Sequence, residues 1–326
     1  MSKNSKPILL KSKFAVQNKS VINELENFFE VLEFSSESHI DQRILSRVEC
    51  LWIHFDCPID KLFLSKLPVC KFVLTTTTGL THLSEETIKF LGTKLISLNL
   101  FQKNLEKVTS TAELAMNFLF HSQLNLENIF SEVRKGKWAR ESNLRKTQIS
   151  SLKIGIVGLG RLGKLFAKTI SGLGAAVYFC EIDEKKVKQG TDKGYFHVAT
   201  LLELCDLVDI VSLHANVIES RSPILNSQIL SKIKSPFILI NTSRSALVDE
   251  SAIIDAIHLG VITSYYTDVL AIEDDGRSLV NSIIWNESQN DSRINITPHI
   301  GGATIEAMDY CENLLLKELM ARIASK

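Results

Sequence analysis

Ile154-Gly-Ile-Val157 runs directly into Gly158-Leu-Gly160-Arg161-Leu162-Gly163, and the reading of this stretch decides the fold. A short apolar run closed by a glycine cluster predicts a buried strand ending in a tight turn. The segment after Gly163 predicts a helix, and Ala176-Val-Tyr-Phe179 predicts a second strand that closes just before Glu181. Further downstream, Leu207-Val-Asp-Ile-Val-Ser-Leu213 and Phe237-Ile-Leu-Ile240 predict strands, and Ser251 to Leu259 predicts a helix stopped by Gly260. Strands alternating with helices predict an α/β fold with a doubly wound parallel sheet.

The same alternation extends upstream in weaker form. Leu51-Trp-Ile-His-Phe55 and Lys71-Phe-Val-Leu-Thr75 read as strands, and Ser84 with Glu85 and Glu86 reads as the start of a helix. Ser110-Thr-Ala-Glu113 has the pattern of a capping box opening another helix. Arg134 to Ser150 is polar and basic, which fits a solvated connection.

Around the glycine cluster each residue has a physical use. Gly158 permits the tight turn, Gly160 lets a pyrophosphate approach the backbone, and Gly163 lets helix and strand pack closely. The first helical turn, with Arg161 and Leu162, offers N–H groups and a partial positive charge to phosphates. Glu181 stands 18 positions beyond Gly163, where a carboxylate accepts hydrogen bonds from adenosine ribose hydroxyls and repels a 2′-phosphate. The pattern therefore predicts NAD rather than NADP, with Asp183 as the competing carboxylate.

Composition narrows the remaining classes. The 326 residues suffice for two cores, and 45% hydrophobic with 23% charged residues is ordinary for a soluble globular chain. Lys plus Arg equals Asp plus Glu at 37 each, so no basic surplus suggests a nucleic-acid binder. No apolar run reaches the roughly 20 residues that span a bilayer, and Ile8 to Leu10 is too short for a signal peptide. The six cysteines (Cys50, Cys57, Cys70, Cys180, Cys205, Cys311) form no C-x-x-C pair, which predicts neither a metal cage nor a disulfide framework and places the chain in the cytoplasm. Cys180 reads as a small buried hydrophobe.

Three more segments carry polar residues after strand-like runs: Asn241-Thr-Ser-Arg244-Ser245, Asp268-Val-Leu-Ala-Ile-Glu273, and Thr297-Pro-His299-Ile-Gly-Gly-Ala-Thr304. Ligands of open α/β sheets bind outside the carboxyl ends of the strands, so Arg244, Glu273 and His299 can converge although distant in sequence. With these segments, Thr77-Thr-Gly-Leu-Thr-His-Leu83, Ser110-Thr-Ala-Glu113, the glycine cluster, Val211-Ser-Leu-His214 and Asp268-Val, the chain resembles the D-isomer-specific 2-hydroxyacid dehydrogenases over about residues 50 to 320. The 29 positions from Arg244 to Glu273 match that family's spacing.

The resemblance implies an NAD-linked oxidoreductase that moves a hydride between a small D-2-hydroxy acid and its 2-keto acid. It implies that Arg244 holds the substrate carboxylate and polarises the C2 oxygen, that His299 exchanges the hydroxyl proton, and that Glu273 orients the imidazole; a planar guanidinium and a near-neutral imidazole suit those tasks. By the same resemblance, Thr78 and Gly79 clasp the carboxylate through backbone N–H groups, Thr242 and Asp268 lie near the nicotinamide, and Thr111 lines the same space. His214 is left between a structural and a functional role, and His82, His121 and His258 are unassigned. The family's architecture implies two Rossmann-like or flavodoxin-like domains with a cleft between them: a substrate domain of residues 1–108 and 301–326, and a nucleotide domain of 109–300, commonly paired as a homodimer. The alternative is a member that binds NAD to regulate or scaffold a partner.

Several residues depart from the family's pattern. Ser245 follows Arg244 where glycine is usual, Asn216 stands in place of a proline, Arg221 replaces a threonine, and Asp274-Asp-Gly-Arg277 lacks the usual Glu-Pro pair. Gln123 and Leu124 lie where an arginine is usual.

Overall fold

The computed structural model describes residues 6–35, 40–55, 57, 59–80, 82–138, 140, 147–217, 223–273 and 278–325. Arg221, the Asp274-Asp-Gly-Arg277 segment, Thr81 and part of the basic stretch after Arg134 lie outside the described residues. The chain divides into two compact units: Met1–Val108, Glu273–Gly276 and Ala303–Lys326 form unit 1, and Thr109–Ile272 with Arg277–Gly302 form unit 2.

Unit 1 is built on strands β1 (Ile8–Ser12), β2 (Glu30–Phe34), β3 (Val48–Ile53), β4 (Phe72–Thr75) and β5 (Leu95–Ser97). They form a parallel sheet in the order β2-β1-β3-β4-β5. Each strand alternates sides, so Leu9, Cys50 and Trp52 enter one buried cluster while Ile8, Leu10, Leu51 and Ile53 enter another. Both faces are covered, which is why these strands read as near-continuous apolar runs rather than as alternations. The terminal helix Ile305–Ala324 supplies Cys311, Leu315, Leu316 and Leu319 to the first cluster, beside Val21 and Leu25 of the helix Lys19–Phe28.

Unit 2 contains β6 (Lys153–Val157), β7 (Ala176–Cys180), β8 (Phe196–His197), β9 (Ile210–Leu213), β10 (Phe237–Asn241), β11 (Ile262–Thr267) and β12 (Ile294–Ile296). The parallel order is β12-β11-β10-β9-β6-β7-β8. The chain winds outward from β6 in one direction, then returns to β9 on its other side. The switch point is therefore between β6 and β9, where open sheets of this kind bind ligands.

Some boundaries differ from the sequence expectation. Leu207 ends the helix Leu201–Leu207, and the strand begins only at Ile210, because a Thr200–Glu203 capping box starts a helix that uses the apolar residues up to Leu207. The helix Ser110–Gln123 has no capping box: Thr109 takes the cap position, makes no side-chain cap bond, and donates its hydroxyl hydrogen to Glu113 Oε1 instead. Cys180 is half-buried rather than buried, since it ends β7 at the sheet's rim.

Candidate active site

At the carboxyl end of β6 the backbone turns at Gly158 with φ +91°, a conformation that side chains disfavour. A Cβ at Gly158 would lie 2.7 Å from Ala215 Cα, just past β9, and one at Gly163 would lie 2.2 Å from the Gly158 carbonyl oxygen. These two glycines thus close the turn onto its own helix and onto β9. Gly160 is different: a Cβ there would meet nothing within 4 Å. It occupies the N-cap of the helix Arg161–Gly172, and no side chain caps that helix. The turn therefore presents open space in front of a helix N-terminus, with Arg161 and Leu162 in its first turn, which is the chemistry a pyrophosphate requires.

Glu181 follows β7 with a side chain only 6% exposed. Its Oε2 accepts from Leu159 N at 2.8 Å, and its Oε1 accepts from Ile182 N at 2.8 Å and Asp183 N at 3.1 Å. The carboxylate thus braces the glycine turn from the position where a ribose carboxylate is expected. Asp183, the competitor, caps the next helix by accepting from Lys185 N. Thr242, just past β10, is buried, and its Oγ1 has no hydrogen-bond partner among the described residues. A buried hydroxyl of this kind is suited to a ligand's polar group. The open Gly160 position, the uncapped helix and this hydroxyl together fit a dinucleotide.

On the other side of β9 the turns are held by side chains. Asn241 ends β10; its Oδ1 accepts from Ser243 N and its Nδ2 donates to the Arg244 carbonyl oxygen, fixing the turn that carries Arg244. Ser243 Oγ donates to Ala215 O at 2.7 Å, tying this turn to the residue against which Gly158 packs. Arg244 is half-buried, and its Nη1 donates to Ser243 O. Ser245, the departure from glycine, has no left-handed backbone and opens the short helical turn Ser245–Leu247, so its side chain strains nothing.

Asp268 follows β11 and is 1% exposed. Its Oδ1 accepts from Thr297 Oγ1 at 2.6 Å and from Ile300 N at 2.9 Å, and its Oδ2 accepts from Gly301 N at 2.7 Å. Burial raises its pKa, opposed by those three donors and by the charge of His299. This grip explains an unusual backbone: His299 lies at φ +52°, alone among the described non-glycine residues in having a positive φ. A Cβ at Gly301 would lie 2.9 Å from Asp268 Oδ2 and 3.2 Å from Thr111 Cγ2. Thr111, Asp268 and the turn bearing His299 are therefore brought together. The resemblance puts Asp268 near the nicotinamide; in the structure both of its oxygens are engaged by the Thr297–Gly301 turn.

Glu273 closes a short turn, Ala271–Glu273, which Glu250 anchors by accepting from Ala271 N at 2.8 Å. Thr78 and Gly79 lie past β4 in unit 1, where Thr77 Oγ1 donates to Gly79 O at 2.7 Å. His82 is buried, with Nε2 3.2 Å from Thr75 Oγ1. His214 is half-buried: Nε2 lies 2.9 Å from Ser212 Oγ, and burial pushes its pKa down to about 4. His121 meets the Tyr266 hydroxyl and His258 pairs with Glu287. Asn241, Ser243 and Glu250 do not stand out as site residues in the sequence; the one available signal is Asn241 at a strand end, a position that favours side-chain turns.

Residues 116–301, more than half of the chain, match the family described as D-isomer specific 2-hydroxyacid dehydrogenase, NAD binding domain. The chain belongs to the D-isomer specific 2-hydroxyacid dehydrogenases. It is 29% identical over 227 residues to a D-3-phosphoglycerate dehydrogenase of Haemophilus influenzae, covering 67% of this chain and 53% of that protein. With a glycerate dehydrogenase of Methylorubrum extorquens it shares 26% identity over 270 residues, 81% of this chain and 79% of the relative. The D-lactate dehydrogenase of Aquifex aeolicus, solved with NAD and lactic acid, superposes with a TM-score of 0.80 at 20% identity, covering 97% and 96% of the two chains. This member of the 2-hydroxyacid dehydrogenases spans about half the length of the phosphoglycerate dehydrogenases it matches. NAD is the cofactor of the family's matched domain, and the expected fold of two parallel α/β sheets is the fold observed.

Proposed function

We propose that this chain is an NAD-dependent oxidoreductase interconverting a small D-2-hydroxy acid and its 2-keto acid. The observation that carries the reading is the Asp268-gripped turn, which holds His299 in a backbone conformation that a structural histidine does not need. NAD, when bound, supplies or accepts the hydride. Gly158, Gly160 and Gly163, with the N–H groups of Arg161 and Leu162, hold its pyrophosphate; Glu181 faces the adenosine ribose; Thr242 and Thr111 line the nicotinamide side. Arg244 binds the substrate carboxylate and polarises the C2 oxygen, His299 gives or takes the proton there, and Glu273 orients the ring. Thr78 and Gly79 offer backbone N–H groups to the same carboxylate.

Two finer readings accompany this one. A homodimer is supported by the helix Leu126–Arg134, which buries none of its side chains and exposes Leu126, Phe130 and Val133 at the spacing of one helical face. A cytoplasmic location is supported by six free cysteines.

The test is NADH oxidation against a panel of 2-keto acids by wild type, Arg244→Ala and Arg244→Lys. The expected result is turnover by wild type, loss of at least about 100-fold in kcat/KM for Arg244→Ala, and incomplete rescue by lysine, whose point charge cannot form the fork. Absence of turnover on every acid, with NADH bound, would favour a regulatory role.

A further inference from the structure

The terminal helix places one carboxylate where apolar packing alone would place a leucine. Glu312 is 1% exposed, and its neighbours Cys311, Leu315, Leu316 and Leu319 all lie in the cluster that covers one face of the unit 1 sheet. A buried carboxylate is costly unless fully hydrogen-bonded. Here Oε1 accepts from Gln17 N at 3.0 Å and Oε2 accepts from Asn18 N at 2.9 Å. Asn18 in turn caps the helix Lys19–Phe28, its Oδ1 accepting from Ser20 N and Val21 N. Glu312 therefore takes the amides of the cap residue and the one before it, and Asn18 takes those that follow. Burial raises the carboxyl's pKa, and the two N–H donors oppose that rise; Asp309 and Lys11 are the charged groups that act on it, Lys11 being paired with Glu33.

What Glu312 holds is the loop after β1. In the order β2-β1-β3-β4-β5 the chain leaves β1 for β2 on one side and returns to β3 on the other, so the switch point of this sheet lies between β1 and β3. The loop sits at its carboxyl end and touches three strands' ends. Ala15 N closes a turn onto Ser12 O, Ser12 Oγ accepts from His54 N past β3, and Ala15 O accepts from Thr76 Oγ1 past β4 at 3.4 Å. Thr76 begins the segment that leads to Thr78 and Gly79.

We propose that Glu312 is a positioning residue for substrate: by fixing Gln17 and Asn18 it sets the β1 loop, and through the Ala15–Thr76 bond it sets the Thr76–Gly79 segment that offers N–H groups to the substrate carboxylate. The proposal rests on the assignment of Thr78 and Gly79 made above. Glutamine at this position keeps the shape but has one acceptor oxygen, and its amide group opposes one of the two N–H donors.

The experiment is Glu312→Gln, Thr76→Val and the double variant, read by steady-state kinetics and by hydrogen–deuterium exchange of peptides covering residues 13–18 and 76–80. For Glu312→Gln we expect the keto-acid KM to rise about 5- to 20-fold, kcat and the Kd for NADH to stay within about twofold, and exchange to accelerate in both peptides. The double variant should be no worse than the more impaired single variant. Faster exchange confined to 13–18, with KM unchanged, would reduce Glu312 to a local support and overturn the proposal. Should wild type reduce no keto acid, the functional reading fails, yet coupled exchange at 76–80 still decides the link. Should Glu312→Gln not fold, Thr76→Val decides it from the other end: faster exchange at 13–18 supports the link, and unchanged exchange there overturns it.

Discussion

The carboxyl edge of the unit 2 sheet is built by opposite means on its two sides. Beside β6 and β7 the closest packing is at positions without side chains, with Glu181 bracing the turn from β7: Gly158 and Gly163 close the turn, and Gly160 leaves space in front of a helix. Beside β10, β11 and β12 the turns are irregular and are held by polar side chains, Asn241 under Arg244 and Asp268 under the turn of His299. A cofactor's phosphates need fixed N–H groups and room, which glycine supplies. On the proposed reading the reacting substrate meets an imidazole and a guanidinium, and holding those in place takes partners beneath them. The glycine side should therefore fail through sterics and the other side through lost hydrogen bonds.

The largest effect is expected where the glycine side is tightest. Gly163→Ala puts a methyl group 2.2 Å from a backbone oxygen, so the helix must move off the strand. Overpacking against backbone should cost about 3–5 kcal/mol in urea unfolding and abolish NADH binding by fluorescence titration. Gly160→Ala meets no atom within 4 Å among the described residues and should change stability by less than about 0.5 kcal/mol, yet it should weaken NADH at least about tenfold by crowding the phosphate. Equal stability losses in the two variants would erase the distinction between a folding glycine and a binding glycine.

Between the two sides stands His214, half-buried against Phe166 with 5.0 Å between ring centroids. Its folded pKa of about 4 lies below its ordinary 6.5, so the unfolded chain takes up a proton that the folded chain refuses. The associated stability is complete above about pH 6.5 and is lost as pH falls towards 4. At about 1.4 kcal/mol per pH unit, the loss is at most roughly 3 kcal/mol, and smaller to the extent that water reaches the half-buried ring. His214→Gln cannot titrate, so its urea midpoint should flatten relative to wild type across that window. Parallel profiles for the two proteins would mean that the imidazole is solvated and titrates normally.

The side-chain half is tested at Asp268. Asparagine at this position would keep one acceptor oxygen and turn an amide group against an N–H of the turn. The Asp268→Asn variant should lower kcat for keto-acid reduction about 10- to 100-fold, or about 1.4–2.8 kcal/mol. If Asp268 acts by gripping the turn of His299, the Kd for NADH stays within about threefold. An NADH affinity that falls in proportion to kcat would instead place the carboxylate against the nicotinamide, as the family resemblance implies.

This contrast also explains what the sequence makes legible. The glycine cluster is read from residues adjacent in the chain, because its geometry is local: a strand, a turn and a helix. Glu181 can be located by spacing, but not its bonds to Leu159, Ile182 and Asp183, which depend on how the turn folds back on β7. Asp268 is legible as a polar residue after a strand, while its grip on residues 29 to 33 positions away is not, since no periodicity encodes a contact between loops. The first strand escapes for a different reason. Ile8–Ser12 contains Lys11, which is only 6% exposed because Glu33 of the neighbouring strand meets its ammonium. A lysine in a strand of a sheet covered on both faces reads as a loop until its partner is known.

The smallest expected effect tests the joint between the two sides. Ser243 follows β10, and its hydroxyl donates to the Ala215 carbonyl at 2.7 Å, while Ala215 Cα is the atom that a Cβ on Gly158 would strike. One hydroxyl thus ties the Arg244 turn to the wall of the glycine turn. Ser243→Ala removes the donor and leaves a carbonyl to find water or go unpaired, a cost of about 1 kcal/mol in unfolding. Asn241 still accepts from the residue 243 N–H, so the Arg244 turn keeps its main support and should not collapse. The keto-acid kcat/KM should fall about three- to tenfold, with the Kd for NADH changed by less than about twofold, because the glycine turn is closed by its own backbone contacts. If NADH affinity fell as far as kcat/KM, the two sides would be one mechanical unit after all. If neither moved, the bond would be dispensable and the sheet alone would hold both turns in register.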